Sequence, residues 1–137
     1  HFIGCWNLEN NKLCNEITKF FENNKSLQKQ GVTASGKNLN VKSRIDITVS
    51  PNDLKKPNFE ILNQYVKELH KCFLDYQNQW PFLKSMLKDI DIGEFNVGKY
   101  SPGDHFSVLH SERTSLSTFC SSTFRTSIVM VVLYSSK

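Results

Sequence analysis

His110 and Glu112 stand two residues apart at the end of the segment Tyr100-Ser101-Pro102-Gly103-Asp104-His105-Phe106-Ser107-Val108-Leu109-His110-Ser111-Glu112. In an extended strand, side chains at i and i+2 leave the same face about 6.5 Å apart, so an imidazole and a carboxylate spaced in this way can converge on one metal ion. These are two of the three donors of a facial triad, the arrangement that holds Fe(II) while leaving positions open for a cosubstrate and oxygen. A neutral imidazole supplies a borderline-soft nitrogen and the carboxylate a hard, charged oxygen that partly neutralises the ion. The bland alternative is a surface strand carrying a solvated His-x-Glu pair.

The context supports the metal reading. Tyr100, Pro102, Gly103, Phe106, His110 and Glu112, followed by Arg113, resemble the Y-x-P-G-x-x-F-x-x-x-H-x-(D/E) segment of the 2-oxoglutarate and Fe(II)-dependent dioxygenases, in particular the prolyl 4-hydroxylase-like branch. Only this segment is motif-grade; upstream, the order helix, strand, long helix, strand also fits. The resemblance implies that His110 and Glu112 ligate Fe(II) and that Tyr100 lines the pocket of the 2-oxoglutarate cosubstrate. A core tyrosine whose hydroxyl finds a backbone partner is the other reading of Tyr100. The implied reaction is oxidative decarboxylation of 2-oxoglutarate coupled to hydroxylation of an unactivated C–H bond, in a prolyl or other peptide side chain or a small molecule, with ascorbate as accompanying reductant. Glu112 is one methylene longer than the Asp more usual in the wider family.

The elements that must position these residues can be read upstream. Leu8 to Asn23 carries Leu13, Ile17, Phe20 and Phe21 at helical spacing, which predicts an amphipathic helix with one buried face. Asn24 to Asn40, with Gly31 and Gly36 and no apolar period, reads as a mobile loop, which the resemblance places at the mouth of the site. Val41, Ile45, Ile47 and Val49 alternate with polar residues, the period of a half-buried strand closed by Ser50-Pro51-Asn52-Asp53. Leu62, Val66, Leu69, Phe73, Tyr76 and Trp80 then form a helical stripe stopped by Pro81. Ile92, Phe95, Val97 and Tyr100 predict the next strand, with Gly98 as a bulge that turns Tyr100 inward. After the Pro102-Gly103-Asp104 turn, Phe106, Val108, His110 and Glu112 fall on one face. His105 reads as a solvated turn residue, Arg113 as a surface ion-pair former, His70 as a partly buried helix residue, and Trp80 with Phe82 as core.

The fold class expected is α+β: the first strands of a double-stranded β-helix, its barrel incomplete, with two supporting helices. The domain reading is a partial oxygenase domain over residues 1–118 and an atypical tail over 119–137. The four histidines are His1, His70, His105 and His110, so no residue after Glu112 can be a distal histidine ligand, and the family's clamp for the far carboxylate of 2-oxoglutarate has no recognisable counterpart in the tail. A string of codons for Met130 to Ser136, read two bases later, can encode Gly-Gly-Thr-Val-Phe-Phe, which resembles the strand after the family's metal motif. A frame change near residue 118 accounts for that tail, and makes the present chain a catalytically incomplete oxygenase. Two other readings stand beside it: a non-catalytic binding module using the apolar run Ile128 to Tyr134 as an interface strand, and an inactive fragment.

Composition sets the outer bounds. The chain's 137 residues, 39% hydrophobic and 12% aromatic, suffice for the core of one domain. Its net charge of +4, from 17 basic and 13 acidic residues spread along the chain, argues against a dedicated nucleic-acid stripe. Cys5, Cys14, Cys72 and Cys120 form no C-x-x-C pair and read as reduced thiols of a cytoplasmic protein. Charges at Glu9, Lys12, Glu16 and Lys19 exclude a signal peptide in the first residues, although a start at His1 rather than Met suggests missing upstream sequence. The run from Ile128 to Tyr134 is too short to span a bilayer, and no feature points to a particular oligomer.

Overall fold

The computed structural model describes residues 4–7, 11–33, 35–86 and 92–108, and the backbone of 131–134. Helix α1 (Asn11–Asn23) is followed by a short helical turn, Lys25–Leu27, and by strands β1 (Lys29–Gln30), β2 (Lys42–Ser43) and β3 (Ile45–Val49). Two further helical turns, Asp53–Lys55 and Pro57–Phe59, lead into α2 (Glu60–Gln79), α3 (Phe82–Met86), β4 (Phe95–Tyr100), β5 (His105–Phe106) and β6 (Val131–Tyr134). This is a mixed α+β domain with no closed barrel among the described residues. No described helix is long and apolar enough to cross a membrane.

One sheet has the order β1-β3-β4-β6; its β1, β3 and β4 pair antiparallel and β6 lies parallel to β4. The second sheet is the antiparallel pair β2 and β5. The core lies between the helices and one face of the larger sheet. Leu13, Ile17, Phe20 and Phe21 of α1 are buried there with Leu62 and Tyr65 of α2, Ile47 and Val49 of β3, and Phe95 and Val97 of β4. The helical period of α1 and the alternation of β3 thus both meet one apolar centre, in which the Phe20 and Phe59 rings pack edge-on with centroids 5.3 Å apart.

The long helix begins where the sequence predicts because the segment before it is locked by local bonds. Ser50 N and Oγ donate to Asp53 Oδ2 at 2.9 and 2.7 Å, and Pro57 opens the turn that delivers Phe59 to the core. Only the first half of the predicted α2 stripe reaches that core. Tyr76 and Trp80 instead pack together, and Trp6 meets Tyr76 edge-on while its Nε1 donates to Asp75 Oδ2 at 2.8 Å.

Several expectations need correction. Residues 24–40 are not one structureless loop: β1 sits within them, paired to β3 through Lys29↔Asp46 and Gln30↔Ile45. A two-residue strand has no period to read. His70 is exposed rather than partly buried, and Phe82 is 48% exposed rather than core. The predicted strand from Val41 to Val49 is divided at Arg44, where the chain leaves β5 and joins β1 and β4.

Gly98 forms no bulge. It lies opposite Asp46 in an unbroken register that runs from Ile45↔Lys99 to Val49↔Phe95. The irregularity comes later. Ile45 faces Lys99 while Ser43 faces His105, so β4 and β5 are one antiparallel partner of the Lys42–Val49 segment from which four residues, Ser101–Asp104, loop out. Gly103 takes the positive φ of 90° that the tip requires, Asp104 N closes the loop on Ser101 O at 2.9 Å, and Ser43 Oγ donates to Asp104 Oδ1 at 2.6 Å.

Candidate functional site

Away from the helices, the ribbon formed by Lys42–Val49 and its partner carries three cross-strand pairings. Asp46 faces Gly98 and Lys42 faces Phe106 in the sheet register, and Arg44 reaches Tyr100 through its side chain. These polar residues alternate with the apolar core residues and would be solvated on a strand covered on one side only. Instead Lys42, Arg44 and Asp46 are 6%, 4% and 5% exposed.

Asp46 is the hub. Its Oδ2 accepts from Arg44 NH2 at 3.2 Å and lies 3.4 Å from Lys42 Nζ. Arg44 Nε lies 2.7 Å from Oδ1 but off the hydrogen-bonding line, so that contact is one of charge. Lys42 Nζ also donates to Val32 O at 2.9 Å and stands 5.4 Å from the centroid of the Phe106 ring. Arg44 NH1 donates to the Tyr100 hydroxyl at 3.1 Å, and its Cζ sits 5.5 Å from the Tyr100 ring centroid.

Two glycines make room for these charges. A Cβ on Gly98 would stand 2.9 Å from Asp46 Oδ1, and one on Gly31 would stand 3.0 Å from Lys42 Cε and 3.1 Å from Arg44 Cγ. Gly31 N donates to Arg44 O at 2.9 Å, and Gln30 Nε2 donates to the same carbonyl at 3.0 Å, which fastens the β1 segment over the cluster.

Tyr100 therefore lies on the charged face, and it arrives there by ordinary alternation after Gly98 rather than by a bulge. Its hydroxyl accepts from the Arg44 guanidinium. His110 and Glu112, the proposed metal ligands, and Arg113 lie outside the described residues, as do the boundary at residue 118 and all of the tail except the β6 backbone. His105 is not in the turn but opens β5 opposite Ser43; it is exposed, with Nε2 3.2 Å from Asn40 O. Its neighbour Asp104 is held below the usual carboxylate range by the hydrogen bond from Ser43 and then by the Ser101 backbone N–H.

The sequence reading passed over Lys42, Arg44 and Asp46. A signal was available: opposite charges at i and i+2 on the polar half of a strand, with a glycine in the strand that faces it. Cys5, Cys14 and Cys72 carry free thiols. Comparison with family models, with curated proteins and with solved structures finds no match.

Proposed function

We propose that this chain is part of a 2-oxoglutarate and Fe(II)-dependent oxygenase of the prolyl 4-hydroxylase-like kind, its sheets the opening strands of a double-stranded β-helix. The observation that carries the reading is the shared face of Tyr100 and Phe106. The Ser101–Asp104 excursion returns the chain to the same partner strand, so the residue opposite Lys42 is Phe106, on the side where Arg44 meets the Tyr100 hydroxyl. In the described residues β5 ends at Phe106, short of the strand expected to run on to Glu112; the sequence alternation Phe106, Val108, His110, Glu112 expects both metal ligands on that side.

The donor chemistry fits the group. His110 and Glu112 would hold the iron, and Tyr100 would hold the 2-oxo acid on a face where Lys42 and Arg44 outnumber Asp46, which favours an anion. The bound iron and 2-oxo acid supply the oxidising chemistry that hydroxylates an unactivated C–H bond. The described residues would supply binding and orientation: Tyr100 would line the pocket of the 2-oxo acid, and the Arg44–Asp46 pair braces its hydroxyl. The substrate class is a peptide side chain, prolyl among them, or a small molecule.

The test is turnover. Purified chain given Fe(II), ascorbate and 2-oxoglutarate should release no succinate, since no histidine follows Glu112. A version expressed from the gene in the corrected frame beyond codon 118 should release it. Silence from the corrected version, or coupled turnover by the present chain, would overturn the reading.

A further inference from the structure

We infer that residues 28–33 form a strap that opens and closes over the charged face without unfolding the core, and that the Lys42 ammonium is its latch. Opening carries Lys42, Arg44 and Asp46 from burial into water. The strap does not depend on the function proposed above.

What holds a segment to its domain is chiefly the apolar area it buries. This one adds no side chain to the core. Leu27 and Val32, and Leu39 further on, are 37%, 57% and 51% exposed. Among the described residues from 25 to 40 Gly31 alone is buried, and a glycine brings no side chain with it.

The fastening is polar instead. β1 offers two residues to β3, Gly31 N and Gln30 Nε2 donate to Arg44 O at 2.9 and 3.0 Å, and Gln28 Nε2 ties the near end to Phe21 O at 2.7 Å. Beyond β1, Lys42 Nζ reaches up from the covered face and donates to Val32 O at 2.9 Å, a bond strengthened by the donor's charge. A Cβ on Gly31 would stand 3.0 Å from Lys42 Cε and 3.1 Å from both Arg44 Cγ and Asp46 Oδ2, so the Gly31 backbone rests on all three charged side chains.

Lifting the strap sets different terms against each other from those in the core. The hydrogen bonds are lost, but their donors and acceptors return to water, and three buried charges recover the hydration that burial took from them. Ile47, Val49, Phe95 and Val97 stay packed against the helices on the opposite face of the sheet. An opening of this kind is a local event with a smaller free energy than global unfolding.

Native-state hydrogen exchange, followed peptide by peptide through a urea series below the unfolding transition, reads that event. Amides of residues 28–33 should exchange at least roughly tenfold faster than those of β3 and β4, with a weaker urea dependence because little surface is exposed. Lys42→Met keeps the side-chain stem, removes the bond to Val32 O and leaves Arg44 and Asp46 as a neutral pair. It should raise exchange in 28–33 a further tenfold or so relative to β3 and β4, the worth of one hydrogen bond from a charged donor. Gly31→Ala should loosen the strap without touching the latch, and the Lys42 amine should then acylate faster with a water-soluble N-hydroxysuccinimide ester, in step with the exchange.

If residues 28–33 exchange with the urea dependence of β3 and β4, the strap opens only when the core does and the inference is overturned. It is overturned equally if Lys42→Met leaves the ratio of the two rates unchanged, or if Lys42 acylates no faster than global unfolding allows.

Discussion

Asp46 on β3 stands directly across the sheet from Gly98 on β4, and the side chain that Gly98 lacks is the space that the carboxylate occupies: a Cβ there would lie 2.9 Å from Asp46 Oδ1 and 3.3 Å from Arg44 Cζ. Gly98→Ala must therefore push two mutually pinned buried charges apart. The expected cost is about 1 to 3 kcal/mol of stability, read as a lower urea midpoint. Gly93→Ala, with no atom within 4 Å of the added methyl, should stay within about 0.5 kcal/mol of the parent. Equal effects at the two glycines would show that the space over Asp46 does not matter.

Asp46 meets both Lys42 and Arg44, at 3.4 and 2.7 Å. Asp46→Ala should cost about 3 to 5 kcal/mol, because it strands two buried cations. Arg44→Gln should cost less, since Lys42 and Asp46 still neutralise each other. Equilibrium unfolding of both variants checks the order, and a milder effect for Asp46→Ala would refute the hub role of this carboxylate.

Acid should loosen the fold through three carboxylates. Glu22 is held low by the hydrogen bond from Lys99, Asp104 by that from Ser43 and Asp53 by that from Lys56. Each binds its proton less readily folded than unfolded. Their contribution is therefore complete above the ordinary carboxylate values of about 4 and is lost as pH falls from there through the depressed folded values. The unfolding midpoint should drop between about pH 5 and pH 2, and Asp104→Asn should shrink that drop.

Tyr65, buried between the helices and the sheet, has its phenol pushed up to about 12 by burial. An unfolded tyrosine ionises near 10, so between about 10 and 12 the folded chain holds a proton that the unfolded chain has given up. Stability is full below pH 10 and falls as pH rises through that window, by at most roughly 2 to 3 kcal/mol. Ultraviolet titration of Tyr65→Phe should lack the last-ionising phenol; if the late phase persists, the assignment is wrong.

His110 can be tested in the chain as it stands. Two ligands should bind Fe(II) weakly, and His110→Ala should abolish that binding in an anaerobic calorimetric titration, whereas His105→Ala, at an exposed position of β5, should leave it unchanged. Iron affinity that is indifferent to His110 would remove the metal reading.

The sequence by itself determined the apolar half of this protein. Leu13, Ile17, Phe20 and Phe21 repeat at the helical period, and Ile47 and Val49 alternate at that of a strand; both periods are backbone geometry, so the faces are legible before any partner is known. It also marked Tyr100 and the Pro102-Gly103 excursion, since proline and glycine carry their own dihedral demands. Only the tertiary structure decided the polar half. Lys42, Arg44 and Asp46 read as a solvated face, and became a buried network because β1 is fastened over them and the chain beyond Asp104 returns beside β2. That second covering depends on pairings between residues far apart in the chain, and no local period encodes which strand another strand will meet.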